Sequence, residues 1–148
     1  MKKVPNLNKD FISWHYVDDL PINNPVDLAI NFSIDQYNIV WKFNHTLNIY
    51  QRFRNNDKAI DAAGEHLAAD NIIVQIMSSD LIDAERRGMD TQSGGIVFIF
   101  NKAGKQFGNW EYRNGRTIFL SEDGQELNLA PGKTWLEIID DPNKLQSL

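Results

Sequence analysis

Residues 96–120 read IVFIFNKAGKQFGNWEYRNGRTIFL: five consecutive apolar residues, then two glycine-bearing corners. Ile96–Phe100 is apolar on both faces, so it reads as a central strand covered on both sides. Ala103-Gly104, Asn114-Gly115 and Asp123-Gly124 punctuate the chain beyond it, and Asn-Gly and Asp-Gly supply the positive φ that tight hairpin turns require. Lys105–Arg113, Arg116–Leu120 and Gln125–Leu129 are therefore predicted as successive strands, and Pro131-Gly132 turns the chain into a last one, Lys133–Ile139. The result is an antiparallel meander.

Upstream the period is also two. Leu28, Ile30 and Phe32 share one face of a predicted strand, and Ile39, Trp41 and Phe43 point inward from another. Asn44-His45-Thr46 reverses the chain, so Leu47–Arg54 returns as a hairpin partner. Leu47, Ile49 and Phe53 fall on one face of that strand, and Tyr50, Arg52 and Arg54 on the other. Lys58–Ala63 has helix propensity interrupted by Gly64, which predicts one or two helical turns within 55–70. Ile72–Met77 reads as a buried strand, and Ser79–Gly88 as a short capped helix or a loop. The fold class is thus mainly β: an antiparallel twisted sheet or partly closed barrel built on a C-terminal meander, with one or two short helices. Residues 1–25, with Pro5, Pro21 and Pro25 around an apolar stretch from Phe11 to Val17, form an irregular linker; 26–140 form the β domain; 141–148 form a tail.

The 148 residues suit one domain. Without cysteine there is no disulfide framework, thiolate zinc site, iron–sulfur cluster or cysteine nucleophile. No run reaches the ~18 apolar residues of a membrane-spanning helix. After Met1-Lys2-Lys3 there is no apolar export segment. A net charge of −5 weighs against a nucleic-acid binder, although Lys42, Arg52 and Arg54 make residues 38–54 locally basic, with no acid among them.

Several short motifs occur in a set order: Trp41-Lys42-Phe43, Tyr50-Gln51-Arg52, Asp61-Ala62-Ala63-Gly64-Glu65, Asn71-Ile72-Ile73-Val74-Gln75, Gly108-Asn109-Trp110, Asp123–Leu129 and Pro131-Gly132-Lys133-Thr134-Trp135. None is specific alone. In order and spacing the chain resembles the C-terminal domain of the YerB-like bacterial lipoproteins, domain of unknown function 3048, over residues 24–140. The resemblance implies an extracytoplasmic protein, membrane-anchored in the full-length family through a lipidated amino-terminal cysteine. This chain has neither cysteine nor signal, which gives the expectation of an isolated C-terminal domain lacking the family's amino-terminal one. The family supplies no established catalytic residues.

The candidate binding residues are Tyr50, Arg52, Arg54, Asp61, Gln75, Trp110 and Trp135. Tyr50, Arg52 and Arg54 project together, and an arginine fork clamps a carboxylate or phosphate bidentately; the structural reading pairs Arg52 with Asp61 or Glu65 instead. Trp110, Tyr112 and Trp135 offer an aromatic platform or, more commonly, core. A buried Gln75 needs hydrogen-bond partners. His66 near Asp61 and Glu65 lacks a nucleophile and an H-E-x-x-H pattern, and Asp80, Asp83 and Glu85 lack EF-hand spacing, so neither group reads as catalytic or metal-binding. Gly132-Lys133-Thr134 lacks the upstream glycine of a P-loop, Leu127 standing there.

No cofactor or metal is expected. The preferred functional expectation is a non-enzymatic binding or assembly module whose partner is an envelope protein or cell-wall component, with contacts to its own amino-terminal domain where one is present. Nucleic acid is not an expected partner, and the membrane is reached only through a lipid anchor. The alternatives are a cell-wall hydrolase using Asp and Glu carboxylates, and a structural brace for the amino-terminal domain.

Overall fold

The computed structural model describes residues 13–32, 34–83 and 87–148, with Arg87 as backbone only. Phe11 and Glu85 lie outside the described residues. Thirteen strands and two 3-10 turns form within them. The first half contributes β1 (Leu28–Ile30), β2 (Ile39–Asn44), β3 (Ile49–Arg54), β4 (Asp57–Lys58) and β5 (Ala68–Ala69). Then come β6 (Asn71–Ile76), β7 (Ser79–Leu81), β8 (Arg87–Met89), β9 (Gly95–Asn101), β10 (Gly104–Arg113), β11 (Arg116–Leu120), β12 (Thr134–Ile139) and β13 (Leu145–Ser147).

Two sheets carry the molecule. The first runs β13-β1-β2-β3-β4 with β5 also on β3, and the second runs β11-β10-β9-β6-β12. The mainly β, largely antiparallel architecture read from the sequence is the one that forms. The middle strands of the second sheet, β6 and β9, are covered on both faces. Ile72, Val74, Phe100 and Ile139 pack against Leu28, Ile30, Ile39, Trp41, Phe43 and Tyr50 of the first sheet. On the opposite face Ile73, Val97, Ile99, Trp110 and Phe119 pack under Trp14, Leu127 and Leu129, which belong to irregular segments. Hence Ile96–Phe100 of β9 is apolar without a break: each face of the strand meets a separate core.

A buried amide pair ties the irregular cover down. Asn71 Oδ1 accepts from the Ala130 N–H at 2.7 Å and from Asn101 Nδ2 at 3.2 Å, and its Nδ2 donates to the Ala130 carbonyl at 2.7 Å. Asn101 Nδ2 also donates to the Asn128 carbonyl at 3.1 Å. Both asparagines are fully buried, so these bonds answer a desolvation cost of about 1–3 kcal/mol per group.

Several local expectations need correction. Residues 55–70 form no helix. Asn55 and Asn56 take positive φ to turn the chain into β4, and the Asp61 carboxylate accepts from the Ala63 and Glu65 N–H groups, a local bonding pattern that outcompetes a short helix. The described residues of Ser79–Gly88 form no helix either: β7 pairs with β8, and the Ser79 hydroxyl donates to Asp140 rather than capping a turn. Gln125–Leu129 is not a strand, because Ser121–Gln125 closes a tight turn and the chain then lies over the back core through Leu127 and Leu129. The meander stops at β11, and β12 crosses the sheet to pair in parallel with β6, Trp135 beside Ile72 and Glu137 beside Val74. The short helices are only 3-10 turns, at Asp35–Tyr37 and Pro142–Lys144. Residues 141–148, set apart as a tail, include β13, which pairs with β1 and packs Leu145 against the front core.

Candidate functional site

The site grows out of β3, whose orientation the apolar pattern disguises. Register pairs Trp41 with Arg52, Phe43 with Tyr50 and Ile39 with Arg54, so the arginines share the inward face of the first sheet. The apolar alternates turn outward, Leu47 in the preceding turn being 57% exposed. Tyr50 can take this face because its hydroxyl donates to the Val26 carbonyl at 2.8 Å. It is fully buried, and burial pushes its phenol well above the usual tyrosine range.

Arg52 is fixed at both ends. Its N–H donates to the Leu67 carbonyl, and its own carbonyl accepts from the Ala59 N–H and lies 2.7 Å from His66 Nε2, which zips the 59–67 loop to β3. Its guanidinium carbon stands 5.1 Å from the Trp135 ring centroid and 5.8 Å from that of Trp41, with Nε donating to Glu137 Oε1 at 3.4 Å. Trp41 Nε1 donates to the same oxygen at 3.1 Å. The partner of Arg52 is therefore Glu137, not Asp61 or Glu65. Both side chains are largely buried, 15% and 9% exposed, and such a pair survives desolvation only with added hydrogen bonds and stacking. Among the described residues, Nη1 and Nη2 of Arg52 have no acceptor.

Arg54 repeats the arrangement nearer solvent. Its Nε donates to the Gln36 carbonyl at 3.1 Å and its guanidinium carbon lies 5.0 Å from the Tyr37 ring centroid. Two open clefts, about 420 and about 390 Å3, flank the pair, and Arg52 and Arg54 line both. Asp57, Lys58, Ala59, Ile60 and Leu67 complete the larger, and Phe32, Tyr37 and Glu137 contribute to the smaller. The charged lining of the two clefts, Arg52, Arg54 and Lys58 against Asp57 and Glu137, sums to +1 on a chain of −5.

The other candidates disperse. Asp61 sits in a third cleft of about 560 Å3 with Glu65, His66, Lys133 and Trp135, its carboxylate occupied by its own loop. Gln75 is buried in β6. Trp110 is fully buried on the back of the second sheet, its indole donating to the Ile76 carbonyl at 2.7 Å, whereas Trp135 lies half-buried on the front. The two tryptophans thus share no platform. Among the described residues no three His, Asp or Glu side chains converge as metal ligands. Glu137 was legible only as the one charge inside an apolar strand, and Gln36 and Tyr37 carried no signal.

A paired-sheet domain with a basic, aromatic-backed cleft is what the geometry defines. Residues 28–136 match the family described as "Protein of unknown function (DUF3048) C-terminal domain", and the chain belongs to that family. It is 27% identical over 128 residues to "Putative lipoprotein YerB" of Bacillus subtilis strain 168, covering 84% of this chain and 38% of the relative. The crystal structure of the YerB protein from Bacillus subtilis superposes with a TM-score of 0.77 at 24% identity, over 85% of this chain and 44% of that one. The chain spans less than half the length of these relatives.

Proposed function

We propose that this domain is a non-enzymatic binding or assembly module acting outside the bacterial cytoplasm, within a protein held at the membrane by a lipid. One observation carries the reading: the Arg52 guanidinium is fixed by Trp41, Trp135 and Glu137, yet among the described residues neither Nη group has an acceptor, and the residue lines two clefts. Stability alone gives little reason for such an arrangement, since a largely buried ion pair seldom repays the several kcal/mol per ion that its desolvation costs. Anion recognition does give one, because a fork already oriented loses less freedom on binding. The relative described as a putative lipoprotein supports the location, and the partner is accordingly an envelope protein or a cell-wall component.

The test is retention of solubilised Bacillus envelope material on the immobilised domain, native against Arg52→Ala. A component held by the native domain and lost from the variant is expected. Equal recovery from both, or none from either, removes Arg52 as the site.

A further inference from the structure

Arg52 and Arg54 are built alike, which points to a ligand more specific than an anion; this inference rests on the binding reading above. In each arginine Nε is committed, to Glu137 Oε1 or to the Gln36 carbonyl, and an aromatic ring, Trp135 or Tyr37, backs the guanidinium. Each keeps its Nη pair without an acceptor among the described residues. Alternate residues of one strand stand about 6.5–7 Å apart on the same face, a spacing at which two long side chains converge on one oxyanion. The lining charge of +1 matches a monoanion, and would leave a phosphate dianion uncompensated.

The remaining wall is apolar. Ile60, 61% exposed, lines the larger cleft with Ala59 and Leu67. We infer that this site takes the carboxy terminus of an extended peptide, with the carboxylate between Arg52 and Arg54 and the last side chain against Ile60 and Leu67. Capture of a terminal carboxylate beside an apolar pocket is an established mode of peptide recognition. A phosphodiester polymer satisfies the arginines but offers nothing to the apolar wall. Protein ends and wall stem peptides both present such a carboxylate, and the chemistry at the arginines is shared.

The test titrates the 148-residue chain, followed by amide chemical shifts, with acetyl-Ala-Ala-Leu as the free acid, the same peptide as its carboxamide, acetyl-Lys-D-Ala-D-Ala and dimethyl phosphate. The free acid is expected to perturb residues 52–67, and the carboxamide to bind about tenfold more weakly. Arg54→Gln, on an exposed side chain that leaves the fold intact, causes a similar loss, and Arg52→Gln is read alongside its melting curve. Tighter binding of the leucine acid assigns the source to protein ends, and tighter binding of the D-alanine peptide to the wall. Either upholds the inference. Equal binding of acid and carboxamide, dimethyl phosphate matching the acid, or no peptide binding overturns it. If envelope material is still held through Arg52 while both peptide acids fail, only the carboxylate assignment falls; if Arg52→Ala leaves envelope recovery unchanged as well, both readings fall.

Discussion

Gly132 holds φ at +118°, and a Cβ built there collides with the Asp70 carboxylate, which accepts from the Lys133 N–H at 2.8 Å. That clasp sets the start of β12 beside β6, since the Lys133 carbonyl in turn accepts from Asp70 and Asn71. Gly132→Ala should cost about 2–4 kcal/mol in urea unfolding, combining backbone strain with the displaced carboxylate. Gly124→Ala is the milder comparison: its φ of +79° lies nearer the left-handed well that other residues can enter, and its Cβ would meet nothing within 4 Å, so about 1 kcal/mol is expected. Equal losses would remove the clasp from the explanation. Tyr50 gives a second residue-scale test. Its folded pKa lies above that of the unfolded phenol, about 10, so its contribution is whole below that pH. Above it the unfolded chain loses the proton while the folded chain keeps it, and stability falls. Tyr50→Phe should flatten this alkaline decline in denaturation curves between about pH 10 and 11.5, while costing about 1 kcal/mol at neutral pH for the lost Val26 bond.

Among the elements, β12 is an edge strand whose bonds can be assigned by parity. The Lys133 and Ile139 carbonyls accept from β6 or its flank, so the odd residues between them also face β6, and the N–H groups of Leu136 and Ile138 point away. Hydrogen exchange should therefore protect the amides of Trp135, Glu137 and Ile139 and leave those of Leu136 and Ile138 fast; uniform protection would mean that something covers this edge. The same strand shows what the sequence can and cannot convey. Ile96–Phe100 announced its central place because both faces are apolar, and Asn114-Gly115 announced its hairpin because both residues take positive φ. Period two in Lys133–Ile139 marked a strand but not its partner, and pairing with β6, dozens of residues upstream, leaves no local trace. β3 misled for a different reason. Its inward face is polar because Glu137 and Val26 supply partners from other elements, so only the fold reveals that Arg52 looks inward. The arginines themselves were visible candidates; the rings and carboxylate that orient them were not.

Across the whole molecule the two sheets are tied by segments that looked dispensable. Leu145 packs against the front core, β13 pairs with β1, and Lys144 donates to Asp140 at 2.6 Å, which holds that carboxyl below its usual range. Ending the chain at Asp140 should cost about 2–4 kcal/mol, from one partly buried leucine and a few exchanged hydrogen bonds, measured by chemical denaturation. A truncated chain as stable as the native one would show residues 141–148 to be ornamental. The crossing of β12 back to β6 has a further consequence for biogenesis. A chain emerging amino end first presents β6 long before its parallel neighbour, so one margin of the second sheet stays unsealed until Ile139 has emerged as well. Closure is then a slow, non-local event. A helper that shields nascent strands would have its task here, in the interval between the appearance of Ile76 and that of Ile139.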